Sequence, residues 1–286
     1  MLSSRTKGIL SLVASAFGFA LMALCVRLSD DYGGAISSFQ KSFFRNIVAL
    51  AIASVAFVKV VRRGDFAFPK PKGWVLLALR VTLGTVGIFA NFYALSRISI
   101  AEGQTLNKTA PFFTVLFAVF FLGERVTFRQ ALALLIAFSG VLLITKPGFA
   151  GEATWPLLAG LLGGLCAGVA YTCVRALRTH AVDSSFIIFA FSLFSSLAAI
   201  PFMLVHFDPM TTTQVVILFG AGVGAAIGQF GVTLAYGYAA PREIAVYDYT
   251  NILFTAAFGF LFFSQIPDLW SIAGFAIILF AAFRLH

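Results

Sequence analysis

The chain has 286 residues, of which 60% are hydrophobic and only 11% charged. A soluble domain carries about 25% charged residues, so there are too few charges here to clothe a water-facing surface of this size. The formal charge of +9 would suit a nucleic-acid partner, but the placement of the basic residues along the chain points to a different cause.

The apolar residues come in runs near the ~20 that a helix needs to cross hydrocarbon. Lipid offers the backbone no hydrogen bonds, so such runs are helical. Ten spans are predicted, at 8–27, 37–61, 73–93, 100–122, 128–145, 155–174, 184–204, 213–236, 244–263 and 269–283. The tenth is short for a span. Arg5 and Lys7 ahead of the first run have the look of a signal peptide, but no small-residue cleavage site follows and the run reads on as a span. Connections are brief and leave no room for a soluble domain.

Lysine and arginine accumulate in cytoplasmic loops. With the N-terminus inside, that face receives Arg5, Lys7, Lys59, Arg62, Arg63, Lys70, Lys72, Arg125, Arg129, Arg175, Arg178, Arg242 and Arg284. The opposite face receives only Arg27, Arg97 and Lys146. Both termini are therefore expected in the cytoplasm, and the basic charge is topological rather than nucleic-acid-binding. Cys25, Cys166 and Cys173 lie inside apolar runs with no metal or disulfide spacing.

The chain also repeats. A shift of 148 superposes Cys25-Val26-Arg27 on Cys173-Val174-Arg175, and a shift of 141 superposes Glu102 on Glu243, Gly87 on Gly228, Asn107 on Asp248 and Phe113-Thr114 on Phe254-Thr255. Span and loop lengths agree between the halves 1–147 and 148–286. Five spans per half is an odd number, so the second half enters from the opposite side. The fold class expected is an all-α integral membrane protein of ten transmembrane helices, arranged as two inverted five-helix repeats, which is a transporter signature with a substrate site near the midplane.

The stretch from Tyr93, YALSRISIAEGQTLNKTAPFFTVLFAVFFLGERVTFRQALALLIAFSGVLLI, has a Tyr-Ala-Leu lead-in and an acidic residue opening a helix. Pro-Phe-Phe follows about nine residues later, and Gly123-Glu124-Arg125 closes the helix. With SFFRNIVA around Arg45, it resembles the EamA-type repeat of the drug/metabolite transporter superfamily. The resemblance covers essentially the whole chain, with departures in the second half, where Pro111 becomes Ile252 and Glu124 becomes Gln265. It implies two inverted five-helix bundles, a central cavity and alternating access, without naming a substrate.

An ionisable residue inside a span is a functional hypothesis by default. On span four, Gln104, Asn107, Lys108 and Pro111 share one helical stripe; on span nine, Asp248, Asn251 and Thr255 form a similar one, flanked by Tyr247 and Tyr249. Lys41, Arg45 and Lys108 are placed in the outer half of their spans with no acidic partner at their level. Arg80 and Asp248 sit nearer the cytoplasmic ends, where they are expected to neutralise one another. Unpaired cations in low dielectric call for an anion, such as a substrate carboxylate or phosphate. Plainer readings stand beside these: Lys41 snorkelling to the interface, Arg45 and Arg80 bonded to neighbouring helices, Asp248 in a purely structural ion pair, and Glu102 and Glu243 as helix-start carboxylates. Tyr93, Asn91 and Gln229 are secondary cavity candidates. Gly160, Gly164 and Gly168, and Gly220, Gly224 and Gly228, recur every fourth residue and read as close-packing positions. Pro111 and Pro241 are placed to break or kink their helices.

The function expected is a secondary active transporter of a small polar metabolite, an organic anion or an amino acid, exchanging it or coupling it to protons across a bacterial inner membrane. No cofactor, metal or nucleic acid is called for, and a homodimer is left open. The rivals are an intramembrane enzyme acting on lipid, which would need paired carboxylates or a mid-span histidine, and a channel, which would need repeated polar filters.

Overall fold

The structure, a computed structural model, describes residues 3–34, 36–95, 97, 106–145, 154–205, 207–264 and 266–284. The described residues form helices α1 (Ser4–Asp31), α2 (Ser38–Arg62), α3 (Pro71–Leu95), α4 (Ala110–Leu122) and α5 (Phe128–Thr145) in the first half. The second half contributes α6 (Thr154–Thr179), α7 (Ser184–Val205), α8 (Thr212–Tyr238), α9 (Thr250–Phe263) and α10 (Leu269–Arg284). A single helical turn, Pro241–Ile244, and a 3₁₀ turn, Ala245–Tyr249, lead into α9. Among the described residues, seven stretches are long and apolar enough to cross a membrane, and Ala110–Leu122, Phe128–Ile144 and Leu269–Phe283 are shorter apolar helices.

The helix ends follow from local chemistry. Ser3 and Ser37 accept the first free amides of α1 and α2, from Thr6 and Gln40. Thr211 and Gln214 form a reciprocal capping box on α8. Helix α4 ends at Gly123 with φ 67°, and α9 ends at Ser264 with φ 52°, the same left-handed cap 141 residues later.

The exterior is apolar as well as the core. Phe120, Phe121, Leu204 and Leu261 are each at least 70% exposed, whereas Gln40, Arg45, Asn46, Arg80, Lys108 and Gln214 are buried. An apolar exterior with the charged and amide side chains turned inward is what lipid as solvent demands. The protein is a multi-pass integral membrane protein.

The most extensive helix pairings all join one half of the chain to the other. Helix α1 packs on α8, α3 on α6, α2 on α7 and α5 on α10; α4 on α6, α2 on α8, α1 on α9 and α3 on α7 follow. Glycines make the closest of these approaches. A Cβ on Gly18 would fall 2.6 Å from the nitrogen of Gly228, and Gly87 and Gly163 would each meet the other's carbonyl oxygen at 3.2 Å. Gly140 and Gly274 face each other in the same reciprocal way between α5 and α10. Gly160, Gly164, Gly168, Gly224 and Gly228 are close-packed as their spacing predicts, while a Cβ on Gly220 meets only the Cys25 Sγ, at 3.3 Å.

One end of the bundle is tied shut by amides. Gln40 exchanges two 2.9 Å hydrogen bonds with the backbone of Asp208, whose carboxylate accepts from the Ser37 amide at 2.7 Å. Gln214 donates to the carbonyls of Ser29 and Gly34 at 3.0 Å each. Both glutamines are fully buried, so the α1–α2 and α7–α8 connections are locked together across the halves.

Candidate functional site

The site is organised by two interrupted spans. In the first half, Leu106 and Asn107 are helical, Lys108 and Thr109 turn, and α4 then restarts with Pro111 in its first turn, where the missing N–H costs nothing. In the second half, Pro241 opens a single turn, the chain tightens to 3₁₀ through Ala245–Tyr249, and α9 resumes at Thr250. Of the two prolines predicted to break their helices, Pro111 stands at the first restart and Pro241 opens the short turn ahead of the second interruption. Lys108 belongs to one interruption and Asp248 to the other, and they meet: Lys108 Nζ lies 3.5 Å from Asp248 Oδ2. The Tyr249 hydroxyl donates to the Lys108 carbonyl at 3.2 Å, tying the two breaks a second time.

This corrects the expected pairing. Asp248 neutralises Lys108, not Arg80, because both sit at helix interruptions that face one another across the halves. The separation is long beside the 2.7–2.9 Å of a tight charge-assisted bond. The Asp248 side chain keeps 21% of its surface accessible. The ion pair is made but loose.

Arg80 instead donates to Gln229 Oε1 at 3.0 Å and lies flat over the Phe191 ring, 3.9 Å from its centroid. Arg45 lies 6.0 Å from the centroid of Phe19. Arg45 and Arg80 are 7% and 2% exposed respectively, and the Nε of each is enclosed without a hydrogen-bond partner. Among the described residues, no carboxylate comes within ion-pair distance of either. The two arginines act on one another electrostatically, and Tyr171 feels both of them and Asp248. Tyr236 stacks obliquely on Tyr171, centroids 5.8 Å apart. Neither tyrosine stands out in the sequence, because a tyrosine near a span end ordinarily belongs to the interfacial belt.

Other predicted residues go elsewhere. Lys41 was expected to lack an acidic partner; it reaches Asp30 at 2.6 Å, because α1 and α2 converge at the end tied by the glutamines. Asn251 donates to the Ala16 carbonyl at 2.9 Å, and Thr255 bonds back to the Asn251 carbonyl, so both serve helix packing. Tyr93 is 41% exposed under the Arg97 guanidinium. Tyr247 is buried, its carbonyl accepting from Thr250. Asn91 lies on α3 beside Gly163 with an unpartnered Oδ1, and Asn107 is half-buried next to Lys108. Gln104 and Glu102 lie outside the described residues.

At the far ends of α4 and α6, Arg175 Nε lies 3.3 Å from Glu124 Oε1, and Arg175 also donates to the Tyr236 carbonyl at 3.1 Å. Glu124 comes from the Gly-Glu-Arg motif and Arg175 from the repeated Cys-Val-Arg, so a further polar contact joins the halves.

Comparison with known proteins agrees with this architecture. Residues 6–146 match the EamA-like transporter family. Over 281 residues the chain is 31% identical to the pseudopaline exporter CntI of Pseudomonas aeruginosa (strain UCBPP-PA14), covering 97% of this chain and 95% of the exporter. The chain belongs to the EamA-like transporter family. This EamA-like chain is also 25% identical over 279 residues to a riboflavin transporter of Brucella anthropi, covering 96% of each. A solved crystal structure superposes with a TM-score of 0.76 at 19% identity, covering 94% of both chains, which establishes the likeness of fold. As a member of this family the chain is a small-molecule transporter and not an enzyme.

Proposed function

We propose that this protein is a secondary active transporter that carries a small polar solute by alternating access to a central site built by Arg45, Arg80, Lys108, Asp248, Gln229 and Tyr171. Its halves, 1–147 and 148–286, act as inverted repeats around a central cavity. Both termini lie in the cytoplasm of a bacterial inner membrane.

The observation that carries this reading is the meeting of Lys108 and Asp248 at two helix interruptions, one from each half. Interrupted spans at mid-membrane are where transporters of inverted-repeat design hold their cargo. The pairing of helices supports the repeat. Exchanging α1 with α6, α2 with α7, α3 with α8, α4 with α9 and α5 with α10 maps the eight most extensive contact pairs onto themselves: α1–α8 becomes α6–α3, and α4–α6 becomes α9–α1. The relatives named as exporter or transporter support a small-molecule cargo.

The chemistry follows from the loose ion pair. A cargo group that engages Lys108 or Asp248 breaks a contact joining the halves, which links binding to their relative movement. A proton on Asp248 would do the same. The test is solute flux into proteoliposomes. Lys108→Ala and Arg45→Ala each abolish flux while the protein still inserts and folds; wild-type rates in both variants would refute the site. Wild-type flux responds to an imposed pH gradient and Asp248→Asn flux does not. A wild type indifferent to the gradient leaves exchange of a counter-substrate as the coupling.

A further inference from the structure

Arginine cannot shed its proton at any pH a cell meets, so a buried guanidinium must find an anion or carry an uncompensated charge. Lys108 and Asp248 offset one another by pairing. Arg45, Arg80 and Lys108 supply three positive charges and Asp248 one negative, leaving two positive charges in the interior that no described carboxylate offsets. The neutral partners around the arginines satisfy hydrogen bonds without cancelling charge. Gln229 offers Arg80 an amide oxygen, and Phe191 and Phe19 offer ring faces. Both Nε atoms are left over even so.

Resting on the transporter reading, we infer that the cargo is a small organic dianion, whose two negative charges are taken by Arg45 and Arg80 while Lys108 and Asp248 stay paired until it arrives. A monoanion would leave one guanidinium uncompensated. A zwitterion would bring a cation into a region already two charges positive. The aromatic rings of Phe19 and Phe191 beside the guanidiniums suit an organic body between the charged groups, and a planar guanidinium binds a carboxylate or a phosphate through two parallel hydrogen bonds. The shared chemistry is two anionic charges on one small molecule, found in a dicarboxylate and in a phosphate monoester alike.

Thermal unfolding of the full chain in nanodiscs tests this, since a ligand that prefers the folded state raises the melting temperature. The probes are alanine, lactate, malate, glutarate and glycerol 3-phosphate. The dianions raise the melting temperature and the first two do not; malate or glutarate against glycerol 3-phosphate tells the carboxylate source from the phosphate. Arg45→Gln and Arg80→Gln each weaken dianion binding by roughly thirtyfold or more, whereas Lys59→Gln on the exposed face of α2 leaves it unchanged. Without ligand, Arg45→Gln melts no lower than wild type, because it removes an uncompensated buried charge; a structural arginine would melt lower. If Arg80→Gln fails to fold, the Arg45→Gln comparison stands by itself. Equal stabilisation by lactate or alanine, dianion binding that survives Arg45→Gln, or no shift with any dianion overturns the inference. Saturable flux of a neutral or zwitterionic solute without dianion binding sinks the dianion and keeps the transporter. Dianion binding without flux of any probe does the reverse.

Discussion

Tyr249 is fully buried and spends its hydroxyl on the Lys108 carbonyl, one of the backbone groups left over where span four is interrupted. Replacing it with phenylalanine leaves a buried acceptor unpaired and loosens the junction that carries Lys108. Tyr249→Phe should therefore lower stability by about 1–3 kcal/mol and slow transport as well, measured as a shift in the melting midpoint and in proteoliposome flux; a silent substitution would show that the bond does not hold the junction. Lys41 is the contrasting case. Its partner Asp30 has a side chain 38% exposed, and the pair lies at the tied end of the bundle rather than among the unpaired arginines. An ion pair in that setting contributes ~0–1 kcal/mol. Lys41→Ala is expected to transport at close to the wild-type rate, while Arg45→Ala is inactive; equal loss in both would place Lys41 on the path of the cargo.

Between helices, close approach depends on the lack of a side chain. Gly140 and Gly274 each stand against the other's carbonyl oxygen, at 2.8 and 2.6 Å from where a Cβ would be. Both atoms are backbone and cannot rotate away, so Gly274→Val must push α10 off α5. The expected result is a fall in the yield of folded, monodisperse protein; a normal yield and melting curve would mean that the pair can separate freely. The end of α9 offers the opposite change. Ser264 occupies the left-handed cap that Gly123 fills in the first half. A side chain in that conformation costs roughly 1–2 kcal/mol, so Ser264→Gly should raise the melting temperature, and a drop would show that the serine side chain makes a compensating contact.

For the whole molecule, the glutamine network at the α1–α2 and α7–α8 end and the Glu124–Arg175 contact are both cross-half ties, away from the Lys108–Asp248 junction. An alternating-access cycle must open one such tie at a time. The orientation proposed from the basic residues can be tested: Asp65→Cys, in the α2–α3 connection, should react with a membrane-impermeant thiol reagent only from the cytoplasmic side, and Tyr32→Cys, in the α1–α2 connection, only from outside. A Cys25→Ala background removes the half-buried native thiol. Labelling from the reverse sides would overturn the proposed orientation.

Some of this was legible from residue order alone. Apolar runs, scarce charge, the bias of lysine and arginine and the EamA-like motifs led to a helical membrane transporter, because solvation by lipid acts on composition and run length, which are local. Close packing of Gly224 and Gly228, and the breaks at Pro111 and Pro241, were also readable, since they depend on four-residue spacing and on the missing proline N–H. Charge partners were not. Counting residues from span ends put Asp248 level with Arg80 and left Lys41 unpaired. Interrupting a span changes the rise per residue and the direction of the side chains, so depth no longer follows from residue count. The Lys108–Asp248 pair and the capture of Arg80 by Gln229 exist only after two halves distant in sequence have packed together, and the Asp30–Lys41 pair only after α1 and α2 have folded back on one another. Tertiary structure decided those.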